Sequence, residues 1–261
     1  MDYACIGSGS NGNAAVVRHG SDAFLLDCGL TIKETERRLT LLEVSPGDLN
    51  AIVVTHEHGD HLRGVGPFAR KYKLPVWMTR GTYRRARDKK IAELNFYAAS
   101  QPFSIGVFVL HPFCVPHDAA EACQFSIHAE NSRLGILTDL GKITPHVIES
   151  VQHVQALVIE CNHDPQMLRD GPYPPALQAR VGGDYGHLSN AQAAQILQSV
   201  DSDGLEFILL AHLSEQNNTS ELAIEAVSEV LTDGAARVSV LSAADCSRWF
   251  SLPRLPDGAG F

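Results

Sequence analysis

Along most of this chain the apolar residues come in short runs, each broken off by a polar or glycine-rich stretch. Residues 3–6, 14–17 and 23–26 read as strands with turn residues between them, the start of a meander. Residues 51–54 are apolar throughout, the pattern of a strand covered on both faces. Further strands are predicted at 75–78, 104–110, 113–116, 123–129, 134–138, 156–160, 207–210 and 237–241. Helical spacing governs 31–42, 62–73, 81–94, 191–200 and 220–231. In the first of these, Thr31 is the expected N-cap and Glu34, three residues on, completes a capping-box pattern, with Leu39, Leu42 and Val44 facing inward. Strands, a helix, then strands again suit two sheets packed together with helices on both outer faces, an α/β (α+β) fold of αβ/βα layers. No repeat or linker divides the 261 residues, so a single domain over 1–261 is expected.

The polar residues that end the buried runs change the picture. The run 51–54 stops at Thr55-His56-Glu57-His58-Gly59-Asp60-His61, which packs three imidazoles and a carboxylate, all able to bind metal, into one short segment. Alternate residues of an extended chain point the same way, so His56 and His58 can share one cation. Asp60 and His61 fall where the chain turns into the next helix and can serve a neighbouring ion. This H-x-H-x-D-H segment resembles the signature of the metallo-β-lactamase superfamily, which implies that family's four-layer αβ/βα sandwich. A two-metal hydrolytic centre needs about six or seven ligands around ions ~3.5–4 Å apart. His117, after the apolar residues 113–116, is the natural third nitrogen for the first ion. Asp139 closes one buried strand and is the natural bridging carboxylate; His212 closes another and completes the second ion. Taken in this order they match the superfamily's ligand series. Mixed imidazole and carboxylate ligands suit zinc, manganese or iron, and two divalent ions, manganese or zinc, are expected. A hydroxide held between them would be the nucleophile, with Asp60 both a ligand and its orienting group.

Gly186-His187-Leu188-Ser189-Asn190 leads into an alanine-rich helix. It is similar to the segment that precedes a helix in the superfamily's phosphodiesterase branch, which includes tRNA 3′-end endonucleases and cyclic phosphodiesterases. By that resemblance His187 contacts the scissile phosphate or protonates the leaving oxygen. Glu160, His163 and Asp164 are candidates for a supporting shell or proton relay, Asp164 alternatively for a helix cap. Residues 8–13, 26–30, 55–61, 68–72, 116–119, 138–141, 160–164, 186–190 and 212–214, with Asn217-Asn218, together look like the WalJ/YycJ family across most of the chain. That resemblance implies a double-stranded DNA 5′→3′ exonuclease that uses manganese and is linked to DNA repair or replication. Gly59 stands where a serine is commoner, a change that removes no ligand. The expected catalytic residues are Asp60, His187 and His163. The expected substrate contacts are Ser8, Ser10 and Asn11 in the Gly/Ser loop, Arg84, Arg85 and Arg87, and Asn190.

Composition adds two things. No run approaches the ~20 apolar residues needed to span a membrane, and residues 1–4 do not open a signal peptide, so a cytoplasmic protein is expected. The six cysteines contain no C-x-x-C pair, which speaks against thiolate zinc and a disulfide framework. The net charge of −9 argues against non-specific nucleic-acid binding, but its distribution does not. Residues 63–90 carry ten Lys and Arg against Asp88 alone, +9 in all, leaving −18 for the remainder. Such a segment beside the metal motif suits DNA phosphates. The alternatives are a small or cyclic phosphodiesterase, an RNA-processing nuclease, or a metal-bound regulatory protein with incidental catalysis.

Overall fold

A computed structural model of the chain describes residues 1–232 and 237–253. Strands β1 (Asp2–Gly7), β2 (Ala14–His19) and β3 (Asp22–Leu26) form the expected antiparallel meander. β4 (Ala51–Val53), β5 (Val76–Met78) and β6 (Leu94–Phe96) extend it in parallel. In the second sheet, β7 (Phe103–Ile105), β8 (Phe108–Cys114), β9 (Cys123–Ala129) and β10 (Ser132–Leu137) pair antiparallel. β11 (Ala156–Glu160), β12 (Phe207–Ala211) and β13 (Val238–Val240) then continue in parallel. β14 (Phe250–Ser251) returns to pair with β1 in the first sheet.

Side-chain alternation sends each strand into two cores. Tyr3 and Cys5 of β1 meet Leu134, Ile136, Ala156 and Val158 between the sheets. Ala4 and Ile6 face the other way, onto a core shared with Leu39 of α1 (Ile32–Leu41) and with Val65 and Phe68, which belong to a later helix. Leu157 and Ile159 of β11 face the outer core of the second sheet, with Ala193, Ile196, Ala223 and Val227. Three apolar layers between two sheets and two helical faces make the αβ/βα sandwich that the strand–helix order predicts. Among the described residues no helix is long and apolar enough to cross a membrane.

Several elements differ from expectation. Thr31 does cap α1 through Glu34 N, but the Glu34 carboxylate pairs with Arg37 and Arg38 instead of closing the box. The helix expected at 62–73 is two, α2 (Gly59–Leu62) and α3 (Val65–Tyr72). Two strands expected at 104–110 and 113–116 are instead the hairpin of β7 and β8, turning at Gly106 with φ 54°. The basic helix expected over 81–94 covers only α4 (Arg80–Arg85). Ala86 leaves the helical region, at φ −54° and ψ 131°. Arg84, Arg85, Arg87, Lys89 and Lys90 would repel one another along a continued helix, and Asp88 is instead drawn to Arg70 at 2.9 Å. Three short helices carried no clear apolar period: α5 (Pro145–Ser150), α6 (Pro165–Asp170) and α7 (Pro175–Val181), each opened by a proline. α8 (Asn190–Ser199) and α9 (Ser220–Ser228) lie close to their expected positions.

Candidate metal centre

The strands β4, β10, β11 and β12 end on one rim, and the side chains at those ends face each other. His56, His58 and His117 offer nitrogens within 4.8 Å of one another, as do the facing atoms of Asp60, His61 and His212. Asp139 faces both sets: its carboxylate groups with His56 and His61 and, through the other face, with His212, Glu160 and His187. His117 Nε2 lies 3.2 Å from His58 Nδ1. His61 Nε2 lies 3.3 Å from Asp139 Oδ2 and 3.4 Å from Asp60 Oδ2. His212 Nε2 is 3.7 Å from Asp60 Oδ2.

Local backbone geometry explains how the strand ends deliver these groups. Asp139 and His212 adopt the left-handed region, at φ 54° and 56°, as does Asp27 after β3, at φ 57°. Non-glycine residues rarely sit there, and three of them at strand ends around one site mark strain held by the surrounding structure. The α2 turn starts directly after His58, and His61 N and Leu62 N both donate to His58 O. Cys28-Gly29 lies flat against that turn: Asn13 N donates to Asp60 O, and Cys28 N to His61 O. A β-carbon at Gly29 would come within 1.5 Å of Asp60 O, so only glycine permits this approach. At Gly59 a β-carbon would meet nothing within 4 Å, so packing does not demand glycine there.

Each imidazole has one nitrogen spoken for on the side away from the cluster. His61 Nδ1 donates to Asp27 Oδ2 at 2.8 Å, and His212 Nδ1 to Glu160 Oε1 at 2.7 Å. His117 Nδ1 donates to Gly186 O at 3.1 Å, His56 Nδ1 lies 3.0 Å from Thr55 Oγ1, and His58 Nε2 reaches Asp118 O at 3.3 Å. The second nitrogen of each faces inward, the arrangement that outer partners impose on metal-binding histidines; His61 Nε2 there also lies 2.9 Å from Asn13 Nδ2. His56 Nε2, Asp139 Oδ2 and His212 Nε2 are buried without any hydrogen-bond partner. Orphaned buried polar atoms are costly and uncommon, and these three, spread over the facing groups on either side of Asp139, fit a site for divalent cations.

Charge follows the same division. Burial pushes His56 and His117 below the ordinary imidazole value. Burial also acts on His61 and His212, but Asp139 and the carboxylates behind each ring outweigh it and hold both well above that value. Burial opposes ionisation of Asp60, yet its bonds to His212 and His61 win and its carboxyl is lowered. Glu160, fully buried, is held at about 2, against the cost of burial, by His187 and His212.

Other expected site residues are placed as follows. His187 Nδ1 donates to Glu160 Oε1 at 2.9 Å, and the ring borders the cleft over the centre. His163 is buried nearby but belongs to none of the facing groups, and its Nδ1 has no partner. Asp164 caps α6 through Gln166 N and Met167 N. Ser10 lines the cleft, and exposed Asn11 bonds Glu215. Ser8 is buried and its hydroxyl accepts from His212 N at 2.7 Å, so it positions His212. Asn190 is likewise buried, locked to Asn218 by two side-chain bonds. Arg85 and Arg87 line a second cavity beside His58 and Gly59, whereas Arg84 does not. Sequence reasoning missed Asn13, whose amide donates to Asp60 Oδ2 at 2.9 Å, and gave no role to Asp27. Asp27 follows an apolar strand just as Asp139 does, and that repeated ending was the available signal.

A sandwich of this layering, with histidines and carboxylates gathered at one rim of strand ends, is a metallo-β-lactamase-type metal-dependent hydrolase. Residues 23–212 match the beta-lactamase superfamily domain. The chain is 36% identical over 238 residues to exodeoxyribonuclease YycJ of Bacillus anthracis, spanning 89% of this chain and 90% of that one. It is 31% identical over 227 residues to exodeoxyribonuclease WalJ of Streptococcus pneumoniae, spanning 85% and 84%. Among solved structures, the metallo-beta-lactamase fold protein YhfI from Bacillus subtilis superposes with a TM-score of 0.74 at 16% identity, over 95% of this chain and 99% of that one. The chain belongs to the YycJ/WalJ family of metallo-β-lactamase-fold proteins.

Proposed function

We propose that this protein is a metal-dependent exonuclease that hydrolyses duplex DNA from the 5′ end, with two divalent ions, manganese or zinc, at the strand-end rim. The observation that carries the reading is the convergence of His56, His58, His117 and Asp60, His61, His212 around Asp139, three of them with buried unpartnered atoms. The relatives' names supply the substrate class. Bound divalent ions supply a Lewis acid for the phosphoryl oxygens and lower the pKa of water from 15.7 toward ~7.

The chain's own groups do the rest. His56, His58 and His117 present one set of nitrogens; Asp60, His61 and His212 present the other, and Asp139 lies between. Asn13 holds the Asp60 carboxylate, which lines the cleft and would orient an attacking water. Burial lowers the His187 imidazole, but Glu160 outweighs it and raises it, which favours the protonated ring. With Nδ1 tied to Glu160, its Nε2–H is the group that protonates the departing 3′ oxygen. Arg85 and Arg87, whose guanidiniums have no partner among the described residues, face the phosphates beyond the cleavage point.

The test is duplex DNA labelled separately at each end, incubated with manganese beside bis-p-nitrophenyl phosphate. Loss of label from the 5′ end first is the expected result. Hydrolysis of the small ester with intact DNA would replace this reading with a small phosphodiesterase, and bound metal with no turnover of either would point to a regulatory role.

A further inference from the structure

The cleft over the centre has two unlike exits, which meet at His58-Gly59. On one side is a cavity of about 410 Å³ bordered by Arg63, Arg85 and Arg87. Its two acids are engaged elsewhere: Asp88 pairs with Arg70, and Glu57 Oε1 accepts from Ala120 N at 2.7 Å. On the other side is a cavity of about 350 Å³ that contains the rim carboxylates, His187 and the Arg180–Asp118 pair and is walled on one face by Tyr173, Leu177 and Val181. A phosphate chain suits the first, and the Tyr173 face of the second suits a flat base.

Tyr173 stands out in that wall. It is half-buried, and neither its ring nor its hydroxyl has a partner among the described residues. It lies in Gly171-Pro172-Tyr173-Pro174-Pro175, where three prolines fix φ and hold the backbone stiff. The loop is seated closely at its start, since a β-carbon on Gly171 would come within 2.5 Å of Asn217 Oδ1 and Met167 O. At its far end α7 is tied to the turn after His117 by Arg180 Nε donating to Asp118 Oδ2 at 2.6 Å. An unpartnered aromatic ring on a stiff loop loses little entropy on binding a flat ligand.

We infer that Tyr173, with Leu177 and Val181 beside it, seats the base and sugar of the strand's terminal nucleotide, while the following phosphates run over His58-Gly59 toward Arg85 and Arg87. This rests on the nuclease reading above and adds a substrate register to it. The cavity is at the small end of ligand clefts and takes one nucleoside, so the enzyme releases mononucleotides.

The experiment places 2-aminopurine at the 5′-terminal or the third position of duplex DNA whose 5′-terminal linkages are non-hydrolysable methylenephosphonates, and adds manganese-loaded protein. Terminal 2-aminopurine is quenched on binding to the wild type and to Tyr173→Phe but not to Tyr173→Ala; the third position responds alike in all three. In manganese, Tyr173→Ala raises KM for duplex DNA by about tenfold, in the range of lost base–aromatic stacking, while metal content stays at the wild-type level and Tyr173→Phe restores KM. Quenching that ignores Tyr173, an unchanged KM in Tyr173→Ala, or oligonucleotide products overturns the inference while leaving the nuclease standing. A wild type that digests no duplex DNA overturns both.

Discussion

The two ligand sets around Asp139 are built differently. His56, His58 and His117 are backed by neutral oxygens: a hydroxyl, a backbone carbonyl near a carboxylate, and a second carbonyl. His61 and His212 are backed by the buried carboxylates Asp27 and Glu160. Imidazoles with a carboxylate behind them are the more basic ligands, and this half also holds Asp60. The neutral half is assembled from a local H-x-H pair plus one strand end. The charged half needs Asp27, Glu160 and Asn13 from three other places in the chain. The lesson is that one half presents lone pairs at little electrostatic cost, while the other concentrates negative charge that a cation, or in its absence protons, must balance.

The largest expected effect comes from removing the group both halves share. Asp139→Ala should lower metal content in both sets and cut turnover by about a thousandfold or more, with circular dichroism unchanged. An unfolded variant would make Asp139 architectural. Next, Glu160→Gln should weaken metal binding by about 10–100-fold, whereas Asp118→Asn, which leaves the carbonyl facing His58 in place, should cost only a few-fold. Equal losses in a metal titration would erase the distinction between the halves.

A smaller effect separates them by protons. Because the folded, metal-free protein holds His61 and His212 above the ordinary imidazole value, both are protonated near neutral pH. Metal binding there must expel those protons, so affinity falls as pH falls. Calorimetry in buffers of different ionisation enthalpy should detect roughly one or more protons released per ion, a release that His212→Ala diminishes; buffer-independent heats would contradict it. The smallest effect lies outside both halves. Arg85→Ala with Arg87→Ala should flatten the log–log salt dependence of DNA binding by about 2, near 0.9 per lost phosphate contact. An unchanged slope removes this cavity from the DNA path.

Much of the charged segment 63–90 is already engaged by the protein itself. Arg63 bonds Gly29 O and Asn11 O, Arg70 pairs with Asp88, and Lys71 with Glu36 at 2.5 Å. Composition could count these cations but could not say which were occupied.

The sequence by itself determined most of the strands and the inventory of candidate ligands. A buried apolar run that stops at His, Asp or Glu announces both its core and its rim, because burial and polarity are read from adjacent residues. H-x-H-x-D-H is local for the same reason. Tertiary structure alone decided what stands behind each ligand and what faces the cleft. Ser8 and Asn190 look like exposed loop polars in the sequence, yet packing buries one under His212 and the other against Asn218. Asp27, Asn13 and Glu160 gained their roles from chain segments far apart in sequence. Tyr173 gained its place from a stiff loop packed against Asn217 and leading into α7, which Arg180 ties to Asp118. These pairings are non-local, and no periodicity along a chain encodes which strand ends will share a rim.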